Sequence, residues 1–215
     1  MYEPSHFKVE DRAALHEVMR AHPLATLVTM GEGGLIANLV PFVLHAEEGE
    51  QGILRAHLAR PNPQWKAIAA GAETLVIFTG VERYVTPAWY ASKKEHGKVV
   101  PTWNYVTVQA RGPARAIEDG GWLHTHLEAL TAQQERPRDE PWAVTDAPEP
   151  FINALSRGIV GIEIEIASLA GKFKLSQNRP EADKHGVLNG LSADPESESQ
   201  AMAVMVKAHA LGERP

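Results

Sequence analysis

The feature that most constrains the fold of this chain is the shortness of the connections between its β-rich runs. Only Gly31-Glu32-Gly33-Gly34 separates Leu24–Met30 from Leu35–His45, and a short glycine-bearing stretch, Glu47 to Gly52, leads on to Ile53–Leu58. A parallel crossover needs a dozen or more residues, usually a helix, so neighbours joined this closely must run antiparallel. Further β-rich runs follow at Thr74–Thr79, Arg83–Thr86, Asn104–Ala116 and Gly161–Leu169. The pattern predicts a mainly β chain with flanking helices.

Asp11 is positioned to cap a first helix whose apolar positions Leu15, Val18, Met19 and His22 keep helical spacing until Pro23. Pro63–Ala70, Gly121–Gln134, Pro150–Arg157 and Glu196–Leu211 also read as helices, and 135–150, with four prolines and many acids, as an exposed loop. Within Glu73–Thr79 both alternating faces are apolar, Leu75 and Ile77 against Val76 and Phe78. A strand of that kind is covered on both sides, by helices or by a partner subunit. Closure into a barrel removes exposed edges, so a dimeric barrel is expected.

With 215 residues the chain is expected to form one domain with helical trimmings. It contains no cysteine, which excludes disulfides, thiolate catalysis and cysteine-held metal clusters. A net charge of −6 argues against a general basic field for nucleic acid and leaves room only for a local basic site. Met1 to Phe7 is polar and carries Glu3 and Pro4 rather than a basic start and an apolar run, and no window approaches a membrane span, so the expected location is the cytoplasm.

Three clusters carry chemistry. In Val99-Val100-Pro101-Thr102-Trp103-Asn104-Tyr105, read as the entry to a strand, Val106, Val108 and Ala110 form a core face. Trp103, Tyr105, Thr107, Gln109 and Arg111 form the other, which suits a ring-shaped polar ligand or a subunit interface. In His57-Leu58-Ala59-Arg60-Pro61-Asn62-Pro63 a strand ends and a helix begins, with Arg60 placed to meet an anion; Asn62 alternatively caps the helix. In Lys172-Phe173-Lys174-Leu175-Ser176-Gln177-Asn178-Arg179, alternation sends Lys172, Lys174, Ser176 and Asn178 to one side, as an anion site or a solvated basic edge.

His124-Thr125-His126 is not a metal pair, because a helical spacing of two turns the rings about 200° apart, and no metal site is assigned. Ser92 to His96 reads as a charged, mobile loop. Phosphate-loop, HExxH and GxSxG patterns are absent.

Taken in order, Met1-Tyr2-Glu3-Pro4 to Phe7, Leu39-Val40-Pro41-Phe42, His57 to Pro63 with Trp65, Tyr84-Val85-Thr86-Pro87 to Tyr90, the VVPTWNY block and Lys174 to Arg179 resemble the PaiB family, FMN-binding negative transcriptional regulators of bacteria. The resemblance implies a six-stranded antiparallel split barrel over residues 1–191, with helical insertions and a polar, Ala-rich helical tail at 192–215. It implies a homodimer with FMN in each groove between subunits. His57, Arg60 and Asn62 would hold the phosphate or ribityl chain, Asn38 would lie along the flavin, and Trp103, Asn104, Lys174, Gln177, Asn178 and Arg179 would close the site, partly from the partner.

The function implied is negative regulation of transcription. The alternatives are an FMN-dependent oxidoreductase of the flavin-reductase kind acting on a small molecule, and a haem-handling split barrel, since one architecture hosts several cofactors. No catalytic acid or base is named. Direct DNA binding conflicts with the acidic net charge.

Overall fold

The computed structural model describes residues 1–212. In chain order the first elements are β1 (Lys8–Val9), α1 (Arg12–Ala21), β2 (Leu24–Gly31), β3 (Gly34–Pro41), β4 (Val43–His45), β5 (Ile53–Ala59), α2 (Gln64–Ala69) and β6 (Thr74–Val85). Then come α3 (Ser92–His96), β7 (Thr102–Gly112), β8 (Ala114–Ile117), α4 (Gly120–Glu135), α5 (Glu149–Ser156), β9 (Ile159–Glu165), β10 (Ser168–Lys174), α6 (Glu181–Ala193) and α7 (Ser197–Ala210). The mainly β, antiparallel architecture read from the sequence is the one observed. The chain divides into two compact units, one of Met1–Asp11, Thr79–Val108 and the chain from Ala170 on, the other of Arg12–Phe78 and Gln109–Leu169. Residues 213–215 of the expected tail lie outside the described residues.

The second unit is built from the two short connections. Gly31-Glu32-Gly33-Gly34 closes the β2–β3 hairpin in the register Leu24↔Pro41 to Gly31↔Gly34, with Gly34 at φ 109°, a value open to glycine. The second connection joins β4 to β5, Leu44 opposite Leu54, within a sheet ordered β4-β5-β9-β8. Leu27, Leu54, Ala56, Val76, Phe78, Ile162 and Ile164 are sealed in the core of this unit. Helix α1 buries Leu15, Val18 and Met19, as their spacing predicts.

Two apolar runs that look continuous are cut by proline. Leu35–His45 becomes β3 and β4, in different sheets, because Pro41 has no N–H to continue the ladder; Phe42 turns inward against Phe78 at 6.0 Å. Pro113 likewise divides Asn104–Ala116 into β7 and β8. Conversely, Thr74–Thr79 and Arg83–Thr86 merge into the single strand β6.

In the first unit the strand order is β1-β10-β7-β6, and α6 packs on α7 through Val187, Leu191, Met202 and Val206. Helix α6 is hidden in the sequence by Gly186 and Gly190. Trp89 explains both, since a Cβ on Gly190 would lie 2.3 Å from its indole and one on Gly186 2.0 Å from its carbonyl oxygen. Ser92–His96 is a short helix rather than a mobile loop: buried Asp183 accepts from Ser92 N at 2.9 Å and Ser92 Oγ at 2.7 Å.

Among the described residues no helix is long and apolar enough to cross a membrane. None of their His, Cys, Asp and Glu side chains gather in groups of three or more able to hold a metal ion.

Candidate functional site

In the first unit, strand alternation along β7 turns Asn104, Val106 and Val108 inward and Trp103 outward, where its ring meets Tyr84 edge-on at 5.8 Å. Asn104 is fully buried. At the end of β10, Lys174 Nζ donates to Thr102 Oγ1 at 2.6 Å and to the Trp103 carbonyl. Alternation stops there, so the later residues of the basic block are placed by a turn. Ser176 adopts φ 70°, a left-handed value that costs a serine energy, and its Oγ donates to Asn104 Oδ1 at 3.1 Å.

Gln177 holds this turn, and it is not among the residues that line the neighbouring cleft: its Oε1 accepts from Leu175 N at 2.7 Å and its Nε2 donates to the Phe173 carbonyl at 2.6 Å. The Arg179 guanidinium lies 4.5 Å over the Tyr90 ring. Thr102, Asn104, Lys174, Ser176, Asn178 and Arg179 line an open cleft of about 50 Å³. That holds a phosphate-sized group or one or two waters, a water occupying roughly 30 Å³.

Among the described residues no acid lines the cleft, and Asn104 Nδ2 is buried there without a hydrogen-bond partner. Burial first, then the charges of Lys172 and Arg179, push the Lys174 ammonium below the usual lysine range. Lys172 Nζ sits over the rings of Tyr105 at 5.4 Å and Tyr2 at 5.6 Å. An unpaired buried donor among cations is an arrangement that an anion completes.

The residues singled out in the second unit all have protein partners. Asn38 Nδ2 donates to Gln64 Oε1 at 2.9 Å, and the buried Gln64 Nε2 reaches the Leu27 carbonyl at 3.0 Å and Thr29 Oγ1 at 3.2 Å, tying α2 to the hairpin. Asn62 Oδ1 accepts from Gln64 N at 2.9 Å and so braces the turn into α2, whose N-cap position is Pro63 rather than Asn62. Arg60 donates to the Arg157 carbonyl at 2.9 Å, to the Ile159 carbonyl at 3.2 Å and to Glu118.

His57 Nδ1 lies 3.1 Å from His126 Nε2, and Trp122 stacks on His126 at 5.3 Å. Burial, then the charges of His57, His45 and Arg55, lower His126 to about 3. His124 turns to Glu128 instead, at 3.4 Å. The His57–His126 pairing joins residues 69 apart, and nothing in the sequence pattern signals it. Thr102, which closes the cleft, carries no signal of its own either.

These two units have the split-barrel fold shared with flavin-binding proteins. The chain belongs to the family described as "Putative FMN-binding domain", whose model matches residues 1–168. It is similar to an uncharacterized protein of Emericella nidulans, 36% identical over 211 residues, covering 82% of this chain and 84% of that one. It is similar along nearly its whole length to the Bacillus subtilis protease synthase and sporulation protein PAI 2, 29% identical over 207 residues, covering 96% and 97%. Among solved structures it is similar to the flavocytochrome Anf3 of Azotobacter vinelandii, with TM-score 0.55 and 16% identity, covering 78% of this chain and 69% of that one. That likeness shows the fold alone.

Proposed function

We propose that this chain binds FMN and works as a homodimeric flavoprotein, with the basic cleft taking the phosphate end of the cofactor. The observation that carries the reading is Asn104 Nδ2, a buried donor with no partner, in a cleft whose charged lining, Lys174 and Arg179, is cationic. The family to which residues 1–168 belong supports FMN as the anion, and the cleft residues 174–179 follow that stretch in the chain. When bound, FMN supplies one- and two-electron redox chemistry.

The chain's own residues supply position and charge. Lys174 and Arg179 hold the anion, Asn104 and Asn178 donate neutral hydrogen bonds to it, and Gln177 fixes the turn that presents them. The second-unit group, Asn38, His57, Arg60 and Asn62, enters as supporting structure, since Arg60 would have to release Glu118 before it met a phosphate. FMN and riboflavin titrated against the protein, with quenching of flavin fluorescence as the readout, test this. FMN is expected to bind more tightly, and Arg179→Gln to narrow the gap about 10- to 100-fold, the worth of one charge-assisted hydrogen bond. Equal affinity of the unaltered protein for both flavins sinks the phosphate reading.

The homodimer is supported by the outer face of β2 and β3. Leu24, Met30, Leu35 and Leu39 are 58%, 56%, 73% and 67% exposed, and the register sets Met30 opposite Leu35 and Thr26 opposite Leu39. A monomer rarely leaves so apolar a face to water, and a second copy covers it. Light scattering is expected to give a dimer, and Leu39→Lys a monomer. A monomeric unaltered chain at micromolar concentration removes the proposal.

A role as a negative transcriptional regulator is the function that the family resemblance implies, and the similar chain PAI 2 carries the name protease synthase and sporulation protein. With a net charge of −6, direct DNA contact would fall to local clusters such as this cleft, which cannot hold a cofactor phosphate and a DNA phosphate together. Control of transcription through the flavin's state, or through another protein, fits the charge better.

A further inference from the structure

Lys174 has an unusual set of partners for a lysine. Its Nζ donates to two neutral oxygens, Thr102 Oγ1 at 2.6 Å and the Trp103 carbonyl, and among the described residues no carboxylate forms an ion pair with it. Arg179 lines the same cleft, and Lys172 is the neighbouring cation two residues back on β10. A neutral amine that gives both N–H groups to those oxygens keeps its lone pair as its remaining valence, which makes it a nucleophile. Beside it lie a phosphate-sized space, a guanidinium and the unpaired Asn104 Nδ2.

We propose that Lys174 is a modification site, acylated by small acyl phosphates whose phosphate docks in the cleft against Arg179 and Asn104. The amine nitrogen attacks the carbonyl carbon and the bond from that carbon to the phosphate oxygen breaks. Inorganic phosphate leaves with the electron pair, and the amine proton goes to it or to water. The products are an amide and phosphate, with no change of oxidation state. Burial and the nearby cations, which hold the ammonium below its usual range, raise the fraction of reactive amine at neutral pH.

Acylation removes one of the two cations lining the cleft and so weakens its hold on any anion, which makes the modification a regulator of the site proposed for FMN. The inference rests on the cleft being an anion site, but not on FMN being the anion.

The test uses the full chain with acetyl phosphate and follows acetylation of each lysine by mass spectrometry. Lys172, on the same strand but outside the cleft lining, is the internal reference. Lys174 is expected to react on the order of tenfold faster than Lys172, a factor equivalent to about 1.4 kcal/mol of docking. Added inorganic phosphate and Arg179→Gln should each reduce the difference, and acetic anhydride, which brings no phosphate, should show only the smaller preference that the lowered ammonium of Lys174 gives it. A Lys174 no faster than Lys172, or equally favoured with acetic anhydride, overturns the proposal. FMN titration is read separately: a chain that binds FMN without preferential acylation sinks this inference alone, and one that is acylated but blind to FMN sinks only the cofactor reading.

Discussion

Glu163→Ala is expected to cost about 3–5 kcal/mol of folding stability, the usual penalty for removing one partner of a buried ion pair. The strand register sets Glu163 of β9 between Arg55 of β5 and Arg115 of β8. Its carboxylate accepts from Arg55 Nε at 2.7 Å and from Arg115 Nε at 2.8 Å, and its side chain is 8% exposed. Burial alone would raise its pKa, but the hydrogen bonds from the two guanidinium groups outweigh that and hold it below the usual glutamate range. Arg55 also reaches Glu48 at 2.6 Å, so the alanine variant leaves a half-buried cation with only an outer partner. Arg115 is 70% exposed, and Arg115→Ala is expected to cost less than about 1 kcal/mol. Urea unfolding of the two variants reads both values; a Glu163→Ala penalty as small as that of Arg115→Ala would show that the three-strand ladder does not carry stability.

That ladder also shows where sequence reading stops. Antiparallel pairing was legible because Gly31 to Gly34 and Glu47 to Gly52 are too short for anything else, and α1 was legible because Leu15, Val18 and Met19 recur at helical spacing. These are local properties. The triple Arg55, Glu163 and Arg115 is a property of register between strands about 50 to 108 residues apart, to which no local pattern points. Prolines misled for a related reason: Pro41 and Pro113 sit inside runs whose apolar alternation continues past them, and the missing N–H becomes decisive only once a ladder exists. Helix α6 was missed because two glycines count against a helix when their neighbours are unknown, whereas in the fold Gly190 admits Trp89.

The candidate site divides in the same way. Lys174, Asn178 and Arg179 stand out in an acidic chain by charge and polarity, and they do line one cleft with Asn104. Alternation assigned Ser176 and Asn178 to the same side as Lys174; they reach the cleft through a turn at φ 70°, which a period-two reading cannot represent. For Arg60 and His57 the residue types suggested a ligand, but their protein partners Glu118 and His126 lie 58 and 69 positions away. Residue type reports what a side chain is able to bind, and only the fold reports whether it is already engaged.

The second large effect concerns acid. His57 and His126 share one hydrogen bond at 3.1 Å, one ring donating and the other accepting, and a further proton would put charge on a buried pair whose His126 Nδ1 has no partner. The surroundings do not favour that proton. Arg55 and His45 lie near, Trp122 covers the His126 ring, and Glu48 and Glu163 are already committed to Arg55. His126 is held at about 3 in the fold against an ordinary 6.5, so the unfolded chain takes up the proton first and stability falls as pH drops below about 6.5. The slope approaches about 1.4 kcal/mol per pH unit, and the full loss from this one ring is at most about 5 kcal/mol, comparable with a whole domain's stability. Above 4.5, the ordinary glutamate value, Glu163 adds little to this limb, which therefore belongs to the histidines. Urea midpoints measured from about pH 7.5 to about pH 4.5 should fall steadily for the unaltered protein. His126→Phe, which keeps a ring beside Trp122, should lower stability at neutral pH by about 1–3 kcal/mol, since His57 Nδ1 loses its partner, yet flatten the acid limb. His124→Phe, two residues away on the same helix but paired only with Glu128, should leave the limb unchanged; if His126→Phe also leaves it unchanged, the pair is not the source of the acid sensitivity.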